Sequence, residues 1–489
     1  MTNEETAKPS PSVARPETLK GFQDCLPADA IARHDVIEKI RKVFERFGFQ
    51  PIETAALEYL STLVGTGGEE TNKQLFALKS PEDEDIALRF DLTVPFARFI
   101  SQHLDEIKLP FRRYHVGSAW RADKPGPGRF REFTQFDIDA AGSSSLAVDA
   151  EIIRAMCDVL AELNVAEFTV LVNHRKIVDA LLYSCGIEDL ARHKHILRVV
   201  DKLAKVGIAQ TRQELGPGRI DESGDPIRGV GLDAATIAAI EAFLNVTGPT
   251  RSAVLASIAT LLPPSDQAKA AIAEVQSFLE ALNSLGVPEA RVHFWPSLAR
   301  GLDYYTGPVF ETILPQAPRF GSVMGGGRYD GLVNRFLGID IPATGASIGI
   351  DRFLAALREI GALTAAATTT DVLVTVMDPK LLQYCLAVAT QLRSSGINTE
   401  VYFGAPADRL KAQLSLANRR GIRLAVILGE DEVKAGAVSV KDLSVGLEKR
   451  KDATDHEKFR SQGKAGQVTV PRDQLIATVR EILAQMRAP

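Results

Sequence analysis

One stretch of the chain, residues 114–142, constrains the fold more than any other. It reads YHVGSAWRADKPGPGRFREFTQFDIDAAG, two alternating runs on either side of a loop of Pro, Gly and charged residues. This pattern predicts a β-hairpin with a long loop. On its second strand one face carries Phe133, Gln135, Asp137 and Asp139. Such a face is either solvated or lines a polar pocket, and the stretch by itself leaves both interpretations open.

The first strand of this hairpin adds basic side chains. Arg113, His115 and Arg121 share one face of it. A guanidinium group can therefore lie across the same surface from the carboxylates of the second strand.

Length and composition indicate a folded chain with several domains. Its 489 residues are 45% hydrophobic and 24% charged, which provides core for two or three domains and excludes general disorder. The net charge of -5 argues against a histone-like binder of nucleic acid, although a tRNA or single strand needs only a local basic face. No apolar run approaches the roughly 20 residues that span a bilayer, so we expect no membrane segment.

Cysteine usage and the N-terminus indicate the compartment. The four cysteines, Cys25, Cys157, Cys185 and Cys385, form no CxxC pair, so we expect neither a zinc site nor disulfides but reduced thiols in the cytoplasm. Residues 1–16 begin acidic and lack an apolar core, unlike a secretory signal or transit peptide, and we expect a flexible tail.

Periodicity outlines the first two thirds of the chain. Helices are predicted over residues 29–47 and 146–163, and strands over 49–53, 87–90 and 168–172. Residues 177–283 are rich in Ala, Leu and Lys and predict a helical insertion. It is broken by a polar, glycine-rich patch at residues 216–231.

The segment LRFDLTVPFAR, residues 88–98, carries a pair of polar residues where a strand gives way to a helix. Asp91 and Thr93 precede Pro95, which ends any strand ladder. They either cap the helix or contribute to a site, and the residues alone favour neither alternative.

Two glycine-containing segments follow the insertion. GSVMGGGRYDGL, residues 321–332, has no GK[ST] and opens no dinucleotide-binding unit, so we reject Walker A and Rossmann interpretations. Its glycines instead suit a strand that passes close to a ligand or another backbone. GASIGIDRF, residues 345–353, predicts a strand that leads into a helix over 352–360. Arg352 in its first turn favours a bound anion, because a cation at a helix start is otherwise unfavourable.

The last quarter of the chain has a different organisation. A small-residue linker over 361–370 precedes alternating strand and helix patterns over 371–489, which predict a separate domain with a mainly parallel sheet. The predicted helix over 408–420 carries a run of basic residues, Arg409, Lys411, Arg419 and Arg420. This face is either solvated or a nucleic-acid surface.

LRFDLTVPFAR, the arginine-bearing hairpin, RGLDYYTG, GGGRYDGL and GASIGIDRF, in this order, resemble the histidyl-tRNA synthetases, a family of class II aminoacyl-tRNA synthetases. The resemblance runs from about Lys20 to the C-terminal region. It implies an α+β catalytic domain over residues 17–360, with a six-stranded antiparallel sheet flanked by helices, and an α/β anticodon-binding domain over 371–489. It also implies a homodimer that joins L-histidine to tRNA(His) with ATP and Mg²⁺.

The resemblance assigns roles to residues one by one. Arg121 and Arg300 are the implied catalytic residues, both placed at the α-phosphate of ATP. The implied histidine-binding residues are Asp91, Leu92, Thr93, Arg121, Gln135, Asp139, Arg300, Tyr304 and Tyr305. The implied ATP-binding residues are Arg121, Asp123, Phe133 and Arg352. Two positions depart from a common pattern, because Asp123 stands where the class usually has glutamate and Asp139 where many bacterial enzymes do. No protein metal site is implied.

Three other functions deserve comparison. A non-catalytic paralogue, such as the regulatory subunit that partners the first enzyme of histidine biosynthesis, typically lacks the terminal domain and loses the catalytic arginines, whereas both are present here. A synthetase-like module fused to a kinase needs a longer chain. A plain ATP-binding transferase leaves RGLDYY unexplained.

Overall fold

The structure is a computed structural model that describes residues 16–65, 72–220, 224–300, 304–363, 366–405, 409–445 and 466–485. The described residues divide into two compact units, one within residues 35–363 and the other within residues 366–485, with residues 16–24 grouped with the first and Cys25–His34 with the second. The tail predicted for residues 1–16 lies outside the described residues apart from Pro16.

The strands and helices follow the predicted periodicities closely. The strands up to the linker are β1 (Gln50–Pro51), β2 (Leu57–Tyr59), β3 (Ala77–Lys79), β4 (Asp85–Leu88), β5 (Phe111–Trp120), β6 (Glu132–Ala141), β7 (Thr169–His174), β8 (Gly218–Ile220), β9 (Pro226–Arg228), β10 (Val292–Phe294), β11 (Pro308–Ile313), β12 (Ser322–Arg328) and β13 (Ala343–Gly349). The helices around the main sheet are Pro27–Arg46, Leu60–Leu63, Thr93–Gln102, Leu146–Glu162, Asn334–Leu337 and Ile350–Glu359, with a 3₁₀ turn at Pro318–Phe320.

The main sheet of the first unit has the order β1-β5-β6-β13-β12-β11-β7-β10. Its six central strands, from β5 to β7, pair antiparallel throughout, which confirms the expected antiparallel sheet. Short strands pair in parallel at both edges, β1 with β5 and β10 with β7. A separate small sheet has the order β2-β4-β3.

The hairpin β5–β6 lies inside this sheet because β13 pairs with the other edge of β6. In the register, Arg113 is opposite Asp139 and His115 is opposite Asp137. The polar face of β6 is buried, so the interpretation as a solvated hairpin is wrong.

Helices on one side of the sheet supply the hydrophobic core. The helix Pro27–Arg46 buries Val36, Ile40 and Phe44, and the Phe44 ring meets Phe136 of β6 edge to face, with 5.2 Å between centroids. Burial of an aromatic side chain contributes on the order of 1.5–3 kcal/mol, so this face holds helix and sheet together.

The insertion is helical, as its composition predicts. Several of its helices begin with a side chain that accepts a hydrogen bond from a free backbone N–H group of the first turn. Asp233 accepts from Thr236 N at 2.8 Å, and Ser265 accepts from Ala268 N at 3.0 Å. The glycine-rich patch forms the β8–β9 pair. The insertion helices are Arg175–Ser184, Leu190–Asp201, Leu203–Leu215, Ala234–Leu244, Arg251–Leu261 and Asp266–Ser284.

The second unit contains a mixed sheet of order β15-β14-β16-β17-β18, made of β14 (Val372–Val374), β15 (Thr399–Val401), β16 (Leu424–Ile427), β17 (Ala437–Asp442) and β18 (Gln467–Pro471). β14 pairs in parallel with β15 and β16, as predicted, whereas β17 and β18 pair antiparallel, so the expectation of a mainly parallel sheet is wrong for them. The β16–β17 connection holds only the short helix Glu430–Lys434, too little chain for a parallel crossover.

The helices of this second unit include the predicted basic helix. It runs over Leu410–Arg420, and Asp408 of the predicted range lies outside the described residues. The other helices are Leu382–Ser394 and Leu475–Gln485, with 3₁₀ turns at Pro379–Leu381 and Arg472–Gln474. Among the described residues, no helix combines the length and apolar character needed to cross a membrane.

A buried ion pair joins the sheet to a covering helix. Arg328 on β12 donates through Nε to Asp149 of the helix Leu146–Glu162 at 3.1 Å, and its Nη2 donates to the same carboxylate. Arg328 also donates to the carbonyl oxygens of Ser143 and Ser145. Hydrogen bonds therefore use nearly all the donors of the Arg328 guanidinium. Asp149 accepts two of these bonds.

We predict that Asp149→Ala lowers the free energy of unfolding of this domain by about 3–5 kcal/mol, because it removes the buried counter-ion of Arg328 and leaves only the partly exposed Asp330, at 3.2 Å. Urea denaturation of the full chain measures the change. Lys42→Ala, which breaks an exposed pair with Glu38, is the control and should leave the unfolding midpoint unchanged. Equal effects of the two variants would contradict the prediction.

Candidate active site

A polar cavity of about 1230 Å³ lies in the first unit. Strands β6, β12 and β13 and the start of the helix Ile350–Glu359 contribute to its lining. Eleven of the residues assigned by resemblance line it: Asp91, Thr93, Arg121, Asp123, Phe133, Gln135, Asp139, Arg300, Tyr304, Tyr305 and Arg352. Leu92 is fully buried behind the lining, and its carbonyl oxygen accepts from Arg113 Nη2 at 3.1 Å.

Arg121 leaves the end of β5 and is held between aromatic rings. Its Nε donates to the Phe90 carbonyl oxygen at 3.1 Å, and its guanidinium carbon lies 4.1 Å from the Phe90 ring centroid and 5.1 Å from that of Phe133. Burial lowers the pKa of Arg121, an effect that the charges of Asp91 and Asp123 oppose. A guanidinium stays protonated under these conditions, so Arg121 is a fixed cation in the cavity wall.

Arg300 reaches the same cavity from a distant part of the chain. Its Nη1 donates to the Phe310 carbonyl oxygen at 3.2 Å and pairs with Glu311 at 3.2 Å, both on β11. Residues 301–303 lie outside the described residues, so the centre of the RGLDYY motif is not described. Tyr304 and Tyr305 beyond it pack against each other at 4.9 Å between ring centroids.

A third arginine, Arg352, lies in the first turn of the helix Ile350–Glu359. Its Nη1 donates to the Ser322 carbonyl oxygen at 3.1 Å. Burial lowers the pKa of Arg352, and the like charges of Arg129 and Arg121 lower it further. Several cations that oppose each other in this way are stabilised by an anion bound between them.

Asp139 is the centre of an opposite, acidic group. Arg113, fully buried, pairs with it at 2.6 Å between Nη2 and Oδ2, and the Tyr329 hydroxyl donates to its Oδ1. Burial raises the pKa of Asp139 to about 7 despite Arg113, and the charge of Asp137 contributes. The Arg113 guanidinium also lies 4.6 Å from the Phe96 ring centroid.

Asp91 both caps a helix and lines the cavity. Its Oδ1 accepts from the backbone N–H groups of Thr93 at 3.2 Å and Val94 at 3.0 Å, at the start of the helix Thr93–Gln102. Burial raises the pKa of Asp91, while these hydrogen bonds and Arg121 oppose the shift. Helix capping and a place in the cavity wall, the two alternatives left open for Asp91, are therefore both correct.

Between these groups β6 presents Gln135 and Asp137. Gln135 Nε2 donates to Ser347 Oγ at 2.6 Å. Burial raises the pKa of Asp137 to about 6 against the charge of Arg113. Opposite it, burial together with Arg113 and Arg89 lowers the pKa of His115 to about 3, so this imidazole is neutral at pH 7.

Glycines make room for these side chains. A Cβ atom at Gly325 would lie 1.8 Å from Arg300 Nη1, and one at Gly327 would lie 2.8 Å from the Tyr305 ring. A Cβ atom at Gly345 would lie 1.9 Å from Asp139 Oδ1. The glycine-rich strand is thus a surface on which the cavity's own side chains rest, which agrees with the rejection of a phosphate loop.

Several residues that line the cavity or support it from behind escaped assignment from the sequence. Arg113 had a signal, since it shares a face with His115 opposite the carboxylates, yet no role was assigned to it. Tyr329, Glu311 and Ser347 had none, because their positions depend on the pairing of β6, β13, β12 and β11. Pairing between distant strands cannot be read from local pattern.

An antiparallel sheet with a flanking arginine helix, a long-looped arginine hairpin and a cavity of opposed charges defines a class II aminoacyl-tRNA synthetase. The family described as histidyl-tRNA synthetase matches residues 21–353, and the anticodon binding domain family matches residues 371–482. The chain belongs to the histidyl-tRNA synthetase family.

Relatives and solved structures agree with this assignment. Histidine--tRNA ligases from Ruegeria sp. (strain TM1040) and Rhizobium meliloti (strain 1021) are each 40% identical, over 95% of this chain and 96% and 95% of their own lengths. A crystal structure of histidyl-tRNA synthetase from Nostoc sp. PCC 7120 is 31% identical with a TM-score of 0.79, covering 96% of this chain and 99% of that one. An ATP phosphoribosyltransferase regulatory subunit/histidyl-tRNA synthetase from Bacillus halodurans C, 24% identical, shares the fold with a TM-score of 0.67, covering 84% of this chain and 97% of that one.

We predict that Gly325→Ala lowers histidine-dependent exchange of pyrophosphate into ATP by roughly 100-fold, because the new methyl group displaces the Arg300 guanidinium by about 1 Å or more. Gly331→Ala is the matched control, since nothing lies within 4 Å of a Cβ atom there. Circular dichroism checks that both variants fold. Full exchange activity in Gly325→Ala would show that Arg300 does not need this position.

Proposed function

We propose that this chain is a histidine–tRNA ligase. It activates L-histidine with ATP to histidyl-adenylate, releasing pyrophosphate, and transfers histidine to the 3′ end of tRNA(His), releasing AMP. One observation supports this most directly. Arg121 and Arg300, from distant parts of the chain, line the same cavity as the buried carboxyl groups of β6.

Activation joins two anions, because the histidine carboxylate attacks the α-phosphorus of ATP. The attacking group is already ionised, so the step needs no general base. Negative charge builds on the α-phosphate oxygens and on the departing pyrophosphate as the bond between them breaks. The guanidinium groups of Arg121 and Arg300 offset that charge, and their anchors to backbone carbonyl oxygens keep them in place before the substrates arrive.

The remaining ATP contacts extend along the hairpin and the helix start. The Phe133 ring offers a stacking surface to adenine, and Asp123 lines the same cavity from the hairpin loop. Arg352 lies at the helix start, where the backbone dipole adds to its charge, and it is suited to the γ-phosphate. Magnesium belongs to this proposal as the ion that arrives with the ATP phosphates.

Histidine recognition uses the acidic end of the cavity. In this proposal Asp139 and Tyr305 bind the two ring nitrogens, and Asp91, Thr93 and Gln135 bind the α-ammonium group. Leu92 contributes through its backbone, which anchors Arg113, and Tyr304 packs beside Tyr305. Because these polar groups are buried, an amino acid without matching partners leaves them unpaired, a penalty that supports discrimination of roughly 10⁴ to 10⁵.

A non-catalytic paralogue is the second candidate. The three cavity arginines, Arg121, Arg300 and Arg352, and the match to the anticodon binding domain over residues 371–482 favour the ligase. Exchange of labelled pyrophosphate into ATP, assayed across the amino acids, separates the two, because the paralogue binds histidine without exchange.

The setting of the enzyme is also part of the proposal. We infer a homodimer in the cytoplasm, a reducing compartment that fits the free cysteines Cys25, Cys157, Cys185 and Cys385. The hairpin loop, residues 123–131, faces the cavity through Asp123, Gly128, Arg129 and Phe130, and we propose that it reads the tRNA acceptor end.

We expect Arg300→Lys to lower the rate of histidine-dependent pyrophosphate exchange by at least 100-fold with little change in the KM for ATP. Lysine keeps the positive charge but lacks the forked guanidinium that can bind two oxygens at once. Its side chain is also shorter, so the hydrogen bond to the Phe310 carbonyl oxygen is lost. Arg319→Lys, an exposed arginine outside the cavity lining, is the control. Exchange that survives in Arg300→Lys would remove Arg300 from the catalytic role.

The basic helix Leu410–Arg420 generates a separate prediction. The triple variant Arg409→Ala, Lys411→Ala and Arg419→Ala should raise the KM for tRNA(His) about tenfold and flatten its salt dependence, since each lost phosphate contact removes one counter-ion release. Pyrophosphate exchange, which needs no tRNA, should stay at the wild-type rate. Lys39→Ala, Lys42→Ala and Lys269→Ala remove the same charge elsewhere as a control. Unchanged tRNA kinetics in the first variant would assign that helix face to solvent.

A further inference from the structure

Asp137 is a buried carboxylate of the cavity that the proposed mechanism does not use. Its side chain is 1% exposed and lines the cavity between those of Gln135 and Asp139 on β6. Neither of its oxygens has a hydrogen-bond partner among the described residues. A buried carboxylate without a partner is expensive, so a ligand is the natural source of the missing donors.

No charged group around Asp137 forms a hydrogen bond with it among the described residues. Arg113 pairs with Asp139 through Nη2, while its buried Nε and Nη1 atoms have no hydrogen-bond partner there and do not bond to Asp137. Arg89 donates to the carbonyl oxygens of Ser118 at 2.7 Å and Thr54 at 2.8 Å. His115 lies opposite Asp137 in the β5–β6 register and is neutral. The Ser347 hydroxyl lies near enough to lower the pKa of Asp137, but it forms no hydrogen bond of normal length and angle with it.

A neighbouring acceptor is unpartnered in the same way. Gln135 Nε2 is bound to Ser347 Oγ, which leaves Gln135 Oε1 buried and without a donor among the described residues. Asp91 has one oxygen occupied by the backbone N–H groups of Thr93 and Val94. Three acceptors thus border one part of the cavity, and an –NH₃⁺ group has three donors and no acceptor.

The order of side chains along β6 locates that part of the cavity. Phe133, Gln135, Asp137 and Asp139 follow one another on one face at intervals of about 6.6 Å. If Phe133 stacks on adenine and Asp139 meets the imidazole ring, as the proposed function has it, the middle positions meet the substrate atoms between them. In histidine, the atoms between the reacting carboxylate and the ring carry the α-ammonium group.

We infer that Asp137 binds the α-ammonium group of the substrate histidine, together with Gln135 Oε1 and Asp91, and is a residue that positions the amino acid for attack. This inference rests on the proposed function. It separates the two neighbouring carboxylates by role, with Asp137 receiving the permanent cation and Asp139 receiving the ring.

Three ligands test this separation by isothermal titration calorimetry and by inhibition of exchange. L-Histidine carries ring, ammonium and carboxylate, histamine lacks the carboxylate, and 3-(imidazol-4-yl)propionate lacks the ammonium. Asp137→Asn should weaken L-histidine and histamine by the same factor, roughly 10- to 100-fold, because a hydrogen bond to a charged group is lost. The inhibition constant of imidazolepropionate should change less than threefold. Asp139→Asn should instead weaken all three ligands.

The Tm separates this role from a purely structural one. Replacement of a carboxylate that stabilises the fold would lower the Tm. Because burial holds the pKa of Asp137 above its ordinary value, ionised Asp137 destabilises the fold above pH 6. Asp137→Asn should therefore keep or raise the Tm at pH 8 while it weakens histidine binding. Asp137→Ser, which is shorter, should show the same ligand pattern.

Two results would overturn the inference. Equal loss of affinity for all three ligands in Asp137→Asn would place Asp137 at the ring or in the fold, and unchanged affinity for L-histidine would leave it without a role. Wild-type protein that binds no L-histidine would instead overturn the proposed function, and the inference with it.

Discussion

The cross-strand pair of Arg113 and Asp139 is the interaction on which the site depends. Both side chains are buried in the sheet, and their N–O distance is 2.6 Å. A pair of this kind adds little stability by itself, because desolvation offsets the attraction, but the loss of either partner leaves a buried charge. It therefore fixes the register of the hairpin: a shift of one residue would move Asp137 and Asp139 to the other face of the sheet.

How much of this could be predicted from the sequence is clear from particular residues. The alternation of side chains along β6 was enough to place Gln135, Asp137 and Asp139 on one face. The same alternation along β5 placed Arg113 across from them. The helical insertion followed from its composition, whereas the antiparallel sheet of the catalytic domain followed from the family resemblance. Tyr329 could not be found in this way, since its contact with Asp139 joins positions 190 residues apart. Nor could the steric reason for Gly345, which depends on the pairing of β13 with β6.

One open alternative and one expectation were overturned, each for a specific reason. The solvated hairpin was a fair alternative while β6 had one known neighbour, and the pairing of β13 with its other edge is what buries the polar face. In the second unit, alternating strand and helix patterns predicted parallel pairing, but the β16–β17 connection is too short to cross over. Both cases concern the partner of a strand, which local sequence does not encode.

Charges of both signs line the cavity, and under the proposed function they orient the substrates. Arg121, Arg300 and Arg352 are among its permanent cations, and Asp91, Asp137 and Asp139 are among its buried carboxyl groups. In the proposed function a zwitterionic histidine turns its ammonium group toward Asp91 and Asp137 and its carboxylate toward Arg121 and Arg300, where the ATP phosphates would also bind. The two reacting anions would then meet where cations offset their repulsion. In the same pose the ring would reach Asp139, so orientation for the reaction and recognition of the side chain would depend on the same arrangement of charges.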